Sequence, residues 1–252
     1  MNAQQAGTDP GTNIQAPGHT GNIQPGSRQR PRHGWLVPAA LIFLSLIPVL
    51  AGAARLTELT GGATITPRNE RFFSSPIPVF THIVSVTAYS LLGAFQFTPS
   101  LRRGRRSWHR AAGRILIPAG FLTALSGLWM ALFYELPPSD GLVLLILRLV
   151  FGSAMLASLV LGVVAIVRRD FAKHGVWMTR AYAIGVAAGT QAIILIIPEL
   201  LTGAPDVTTR ARLMGAAWMI NLAVAEYVIR RRPRPNTPPA RRGRPAMSFP
   251  GQ

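Results

Sequence analysis

Residues 142–167 read LVLLILRLVFGSAMLASLVLGVVAIV, an apolar run interrupted by one charged residue, Arg148. A helix that crosses the hydrocarbon core of a bilayer needs about 20 mostly apolar residues, and this run is long enough. A helix also satisfies its own backbone hydrogen bonds inside lipid, which an isolated strand cannot do. The run therefore predicts a transmembrane helix and argues against a soluble domain.

Five further apolar segments extend this prediction to an all-α bundle of six transmembrane helices. They are Leu36–Ala54, Pro76–Phe97, Ile115–Tyr134, Ala181–Pro198 and Leu213–Ile229. The composition agrees, because 49% of the residues are hydrophobic and only 14% are charged, against about 25% charged in soluble domains. The helices define a predicted transmembrane domain at 35–231. Polar, proline-containing tails at 1–34 and 232–252 flank it and are predicted to be disordered.

The distribution of positive charge predicts the orientation of the bundle. Eighteen of the 26 lysines and arginines fall in the tails and loops on the same side as the N-terminus, and five fall in loops on the other side. We therefore expect both termini in the cytoplasm, at a bacterial inner membrane. The basic segments predict contact with anionic lipid headgroups. They lack a nucleic-acid-binding motif, so a nucleic-acid partner is not expected.

Several kinds of site have no support in the sequence. The chain contains no cysteine, which excludes disulfides, thiolate zinc sites, iron–sulfur clusters and thiol nucleophiles. It also has no nucleotide-binding loop, no catalytic triad pattern and no H-E-x-x-H zinc motif. The sequence therefore predicts no metal site of these kinds and leaves open whether the protein is an enzyme.

Three histidines lie in or beside predicted helices. Helical spacing places His109 and His174 each at the start of a face of small residues, which allow helices to pack closely. The first face continues through Gly113, Gly120, Ala124 and Gly127, and the second through Ala181, Gly185 and Gly189. Both histidines are therefore predicted to face neighbouring helices. His82 shares a polar stripe with Tyr89 and Gln96, which indicates either a site or a hydrogen bond that joins two helices.

We expect a site near the inner leaflet, between the third and fifth transmembrane helices. His109 and His174 would form it, with supporting contributions from Arg110, Arg180, His82 and Gln96. In one interpretation the two histidines ligate a single haem b and the protein transfers electrons. In a second, the site binds or transports a small anionic ligand, a quinone or a lipid headgroup. In a third, the histidines only join helices and no ligand is bound.

Two charged residues inside predicted helices need partners, because an unpaired charge is costly in lipid. We expect Arg148 to pair with Glu199 or Glu135. For Glu226 we expect a local pair with Arg230, one turn further along the same helix.

The motifs H…LLGAFQF…LRRGRRSWHRAAGR and KHGVWMTRAYA resemble an uncharacterised bacterial family of multi-pass membrane proteins, domain of unknown function 2306. The resemblance covers 82–191 and implies a multi-pass membrane protein without an established activity. It leaves out both tails and the first and sixth helices. The family's motif positions correspond to His82, Gln96, His109, Arg110, His174, Trp177, Met178 and Arg180.

The predicted orientation can be tested with single cysteines, because the chain has none of its own. We expect a membrane-impermeant maleimide to label Ser139→Cys in intact cells and Ala172→Cys only after the membrane is permeabilised. The opposite pattern would show that the positive-inside assignment is reversed. Labelling of both variants after permeabilisation is the control for access to the thiol.

Overall fold

A computed structural model describes residues 35–96 and 106–232, and in these ranges the only regular secondary structure is helical. The helices are α1 (Leu36–Thr60), α2 (Glu70–Ser74), α3 (Pro76–Gln96), α4 (Arg106–Phe133), α5 (Leu142–Val167), α6 (Phe171–Gly185), α7 (Ala187–Thr202) and α8 (Val207–Arg230). The predicted all-α class is confirmed. The predicted disorder of the tails falls, apart from Arg232, outside the described residues.

Within 35–96 and 106–232, six helical stretches are long and apolar enough to cross a membrane, as the sequence predicts. Five of them are the single helices α1, α3, α4, α5 and α8. The remaining stretch, Phe171–Thr202, consists of α6 followed by α7. The short helix α2 lies between the first two stretches and is not itself long enough to span a bilayer.

The break between α6 and α7 lies at Val186, inside what the sequence predicts to be one helix. Val186 has φ −89° and ψ 3°, and its N–H donates to the carbonyl of Tyr182. Asn221 of α8 bridges the break, because its Nδ2 donates to the Ala183 carbonyl at 3.0 Å and its Oδ1 accepts from Thr190 Oγ1 at 2.8 Å. A neighbouring helix thus supplies polar partners around an irregular backbone segment, as the apolar interior of a membrane requires.

Two tyrosines form the centre of the packing between α3, α4, α5 and α6. Tyr89 and Tyr182 are both buried, with ring centroids 5.7 Å apart. The Tyr182 hydroxyl donates to the Ser90 carbonyl at 2.7 Å. Glycines give the rings room: a Cβ on Gly93 would lie 2.3 Å from the Tyr182 ring, and one on Gly120 would lie 2.8 Å from the Tyr89 ring. The predicted small-residue faces therefore receive large side chains from neighbouring helices.

The loop before α5 carries an acid that connects α5 to α8. The Asp140 side chain is only 2% exposed and accepts from Arg148 at 2.6 Å and from Arg210 at 3.0 Å. The expected pairing of Arg148 with Glu199 or Glu135 is therefore wrong, because the loop folds Asp140 back over the start of α5. Burial opposes ionisation of Asp140, but Arg148 and Arg210 outweigh it and hold its pKa below the ordinary value.

Helix α1 packs on α3 and α7, and it comes close to the backbone of α7 at Gly189. A Cβ on Gly189 would lie 1.9 Å from the backbone oxygen of Leu44, a contact that no side-chain rotation relieves. Nearby on α1, Ser45 is 2% exposed and donates to the Leu41 carbonyl at 2.9 Å. The backbones of α1 and α7 can therefore meet only because residue 189 has no side chain.

We expect Gly189→Ala to lower the free energy of unfolding by about 1–3 kcal/mol, the usual cost of overpacking a close contact. Gly113→Ala is a matched control, because in the part of the chain that the structure describes no side chain and no other helix lies within 4 Å of the position that its Cβ would occupy. In a helix the control should be neutral or slightly stabilising. Thermal unfolding in detergent micelles measures both variants, and equal effects would contradict the assigned contact.

Candidate functional site

His109 and His174 lie at the same end of the bundle, which we call the basic end. It is the end at which α3 and α8 finish and at which α4 and α6 begin. Each of the two histidines is the fourth residue of its helix, His109 in α4 and His174 in α6.

The Tyr89 ring provides a common reference level from which the positions of the two histidines along their helices can be measured. Gly120 of α4 and Gly185 of α6 both pack against the Tyr89 ring, with Cβ positions 2.8 and 2.9 Å from it. His109 precedes Gly120 by eleven residues, and His174 precedes Gly185 by eleven residues. Both helices run antiparallel to α3, so both histidines lie roughly 16 Å along the helix from the level of Tyr89, at a rise of 1.5 Å per residue.

A backbone contact orients the His174 ring. Its Nδ1 lies 2.9 Å from the carbonyl oxygen of Gly162 in α5. A carbonyl only accepts hydrogen bonds, so Nδ1 carries the hydrogen, and in the neutral ring the lone pair is then on Nε2. Asp170 supports the start of α6, because its side chain accepts from the Lys173 N–H at 3.0 Å. His174 is therefore held so that Nε2 is the nitrogen with ligand capacity.

Gln96, at the end of α3, carries a buried side-chain amide. Its side-chain Nε2 and Oε1 are both buried, and within 35–96 and 106–232 neither has a hydrogen-bond partner. Because Gly93 packs on Tyr182 and α3 is antiparallel to α6, Gln96 lies close to the level of Met178, about one turn from His174. A buried amide without partners is uncommon in a folded protein and indicates a place for a polar ligand or water.

The two predicted supporting arginines differ in their surroundings. Arg110 is exposed at the start of α4. The Arg180 side chain turns toward α8, where Nε donates to Glu226 Oε1 at 2.5 Å and Nη2 donates to Oε2 at 3.1 Å. Its guanidinium carbon also lies 4.7 Å from the centre of the Trp177 ring. The hydrogen-bonded partner of Glu226 is thus Arg180 on the adjacent helix, in a two-point contact, and the expected partner Arg230 acts on the carboxylate only through its charge.

His82 lies elsewhere in the bundle. Its Nδ1 is 3.1 Å from the carbonyl oxygen of Thr123 and 3.1 Å from the hydroxyl oxygen of Ser126, both in the second half of α4. Thr123 follows His109 by fourteen residues, which corresponds to roughly 20 Å along α4. This geometry agrees with a hydrogen bond that joins two helices, so we do not include His82 in the site at the basic end.

Helix α8 makes polar contacts with α6 and α7 that were not predicted from the sequence. Besides Asn221 and Glu226, Arg232 takes part, since its Nη2 donates to Thr179 Oγ1 at 2.6 Å. Asn221, an amide side chain within an apolar segment, is the feature of the sequence that could have indicated these contacts. Among the described residues, no group of three or more histidine or acidic side chains is arranged to hold a metal ion.

Comparison with known proteins gives one family. The model of a family described as "Predicted membrane protein (DUF2306)" matches residues 79–229. The match covers α3 to α8 almost completely and leaves out α1. No curated protein and no solved structure matches the chain.

The Arg180–Glu226 contact predicts a measurable coupling energy. Removing a single partner of a buried pair costs about 3–5 kcal/mol. The Arg180 and Glu226 side chains are 29% and 32% exposed, so solvent screens their charges in part. We therefore expect Glu226→Gln to lower the free energy of unfolding by about 1–2 kcal/mol. Thermal unfolding of Glu226→Gln, Arg180→Gln and the double variant measures the interaction. Additive losses would show that the two side chains do not interact.

Proposed function

Since this chain belongs to DUF2306, a family of predicted membrane proteins, it is a multi-pass integral membrane protein, and we propose that it binds one b-type haem through His109 and His174. The bound haem would supply one-electron redox chemistry, and the protein would transfer electrons. The observation that carries the proposal is the equal depth of the two histidines on two parallel helices, each eleven residues before a glycine that packs on Tyr89.

The orientation of the His174 ring suits a haem ligand. Ligation by two histidines needs one ring from each of two helices, with a nitrogen lone pair available on each. His174 supports this requirement, because its hydrogen bond from Nδ1 to the Gly162 carbonyl leaves Nε2 to act as the ligand. Backbone contacts of this kind fix the tautomer and the ring orientation of ligating histidines in proteins.

Room and charge near His109 also favour the proposal. Gly113 lies one turn after His109, and among the described residues no side chain and no neighbouring helix lies within 4 Å of where its Cβ would be. Arg110 is exposed at the same end and suits the carboxylate groups of a haem. We further propose that this end faces the cytoplasm, which the excess of basic residues on this side supports.

A second candidate is a quinone or a small anionic ligand at the same place, and Gln96 favours it. An oxygen of such a ligand would accept from the Gln96 amide, which has no partner within the described ranges. A hydroxyl group of the ligand would donate to His174 Nε2, which carries the lone pair of the neutral ring. In this version Gln96 binds the ligand directly, whereas the haem version gives Gln96 no role as a ligand.

Absorption spectroscopy tests the haem proposal. We expect the protein, purified after expression with haem supplied, to show a Soret band and about one haem per chain in a pyridine haemochrome assay. His109→Ala and His174→Ala should each lose most of the bound haem. His82→Ala should keep it, because that residue is hydrogen-bonded to a distant part of α4. A wild-type protein without a Soret band would overturn the proposal.

If haem is absent, ligand binding separates the remaining interpretations. Titration with a water-soluble quinone, followed by quenching of tryptophan fluorescence, should then show saturable binding that Gln96→Leu weakens several-fold. Binding that is absent in the wild type would leave the histidines with a structural role, in which the substitutions change only thermal stability.

A further inference from the structure

A groove of about 490 Å³ lies at the basic end of α8, outside the proposed histidine site. It is lined by Ala223, Glu226, Tyr227, Arg230 and Arg231. Because α8 spans the membrane and Arg230 is its last residue, this groove lies at the boundary between the apolar core and the headgroup region.

The groove carries a net positive charge. Its one acid, Glu226, is already engaged by Arg180 through two hydrogen bonds. Arg230 and Arg231 are both exposed. The Arg231 guanidinium lies 4.8 Å from the centre of the Tyr227 ring, so the aromatic face holds one of the two cations in place. Two guanidinium groups next to a neutralised carboxylate are suited to an anion with several oxygen acceptors.

An apolar strip runs from the groove toward the middle of the membrane. Ile220, Val224 and Val228 follow one another at intervals of four residues, which places them on one face of α8. They are 48%, 58% and 42% exposed, and Tyr227 beside them is 58% exposed. In a membrane-spanning helix such a face contacts lipid acyl chains.

We propose that this groove binds an anionic phospholipid, with its phosphate on Arg230 and Arg231 and an acyl chain along Ile220 and Val224. The combination of a cationic groove and an apolar strip on the same helix face distinguishes a lipid from a soluble anion, which would use only the arginines. The carbonyl groups at the end of a helix repel anions. Two guanidinium groups that can each bind phosphate bidentately outweigh this repulsion.

Native mass spectrometry tests the site with two double variants that lose the same charge. The protein in detergent is mixed with equal amounts of phosphatidylglycerol and phosphatidylcholine, and the retained lipids are counted. The wild type should retain phosphatidylglycerol in several-fold excess, and Arg230→Gln/Arg231→Gln should lose that preference. Arg168→Gln/Arg169→Gln, exposed arginines after α5, should keep it. Equal losses in both variants would overturn the proposal in favour of diffuse charge attraction.

Competition with inorganic phosphate distinguishes binding of a whole lipid from binding of a phosphate group alone. Excess inorganic phosphate at constant ionic strength should leave phosphatidylglycerol bound, because phosphate cannot use the apolar strip. Displacement by phosphate would overturn the lipid assignment and indicate an anion site.

The thermal unfolding midpoint of Arg230→Gln/Arg231→Gln should match that of Arg168→Gln/Arg169→Gln. Equal midpoints show that a lost lipid preference does not reflect misfolding.

Discussion

A charged side chain inside the apolar part of a membrane needs a partner, and this requirement determines how α8 joins the bundle. At one end Arg210 meets the Asp140 carboxylate, which also accepts from Arg148 of α5. At the other end Glu226 meets Arg180 of α6. Of the six membrane-spanning stretches, α8 has the lowest mean hydropathy, 1.2. Ion pairs at both ends, with Asn221 between them, therefore supply specific contacts that apolar side chains alone do not provide.

The same requirement explains why a broken helix is tolerated in the middle of the protein. The interruption at Val186 disturbs regular helical hydrogen bonding, and Asn221 compensates by donating to the Ala183 carbonyl. On the opposite side of α6, Gly185 leaves room for the Tyr89 ring. Since Gly120 of α4 packs on the same ring, Tyr89 aligns the two helices, and this alignment brings His109 and His174 to one depth.

Much of the fold could be predicted from the sequence, because apolar run length and the spacing of small residues are local properties. They identify six membrane spans and the faces that carry Gly120, Gly185 and Gly189. The ion pairs could not be predicted in the same way. For Glu226, Arg230 is an acceptable partner nearby in the sequence, but the folded chain brings Arg180 of another helix to the carboxylate. Asp140 is nearer to Arg148 in the sequence than Glu135 or Glu199, but it lies outside the apolar run, and only the fold of the loop turns its carboxylate back toward α5. No proline in the sequence marks the break at Val186. The contact that stabilises the break comes from Asn221 on another helix, so it is seen only in the folded structure.

Arg180 connects the two proposed sites at the basic end. Its guanidinium holds Glu226, which lines the groove on α8, and it lies over the Trp177 ring. Trp177 in turn packs against Gly162, whose carbonyl accepts from His174. A substitution at Glu226 would therefore disturb the groove and the surroundings of His174 together. Arg230 and Arg231 lie on the exposed side of this series of contacts, so their replacement changes the charge of the groove while the packing around His174 is preserved.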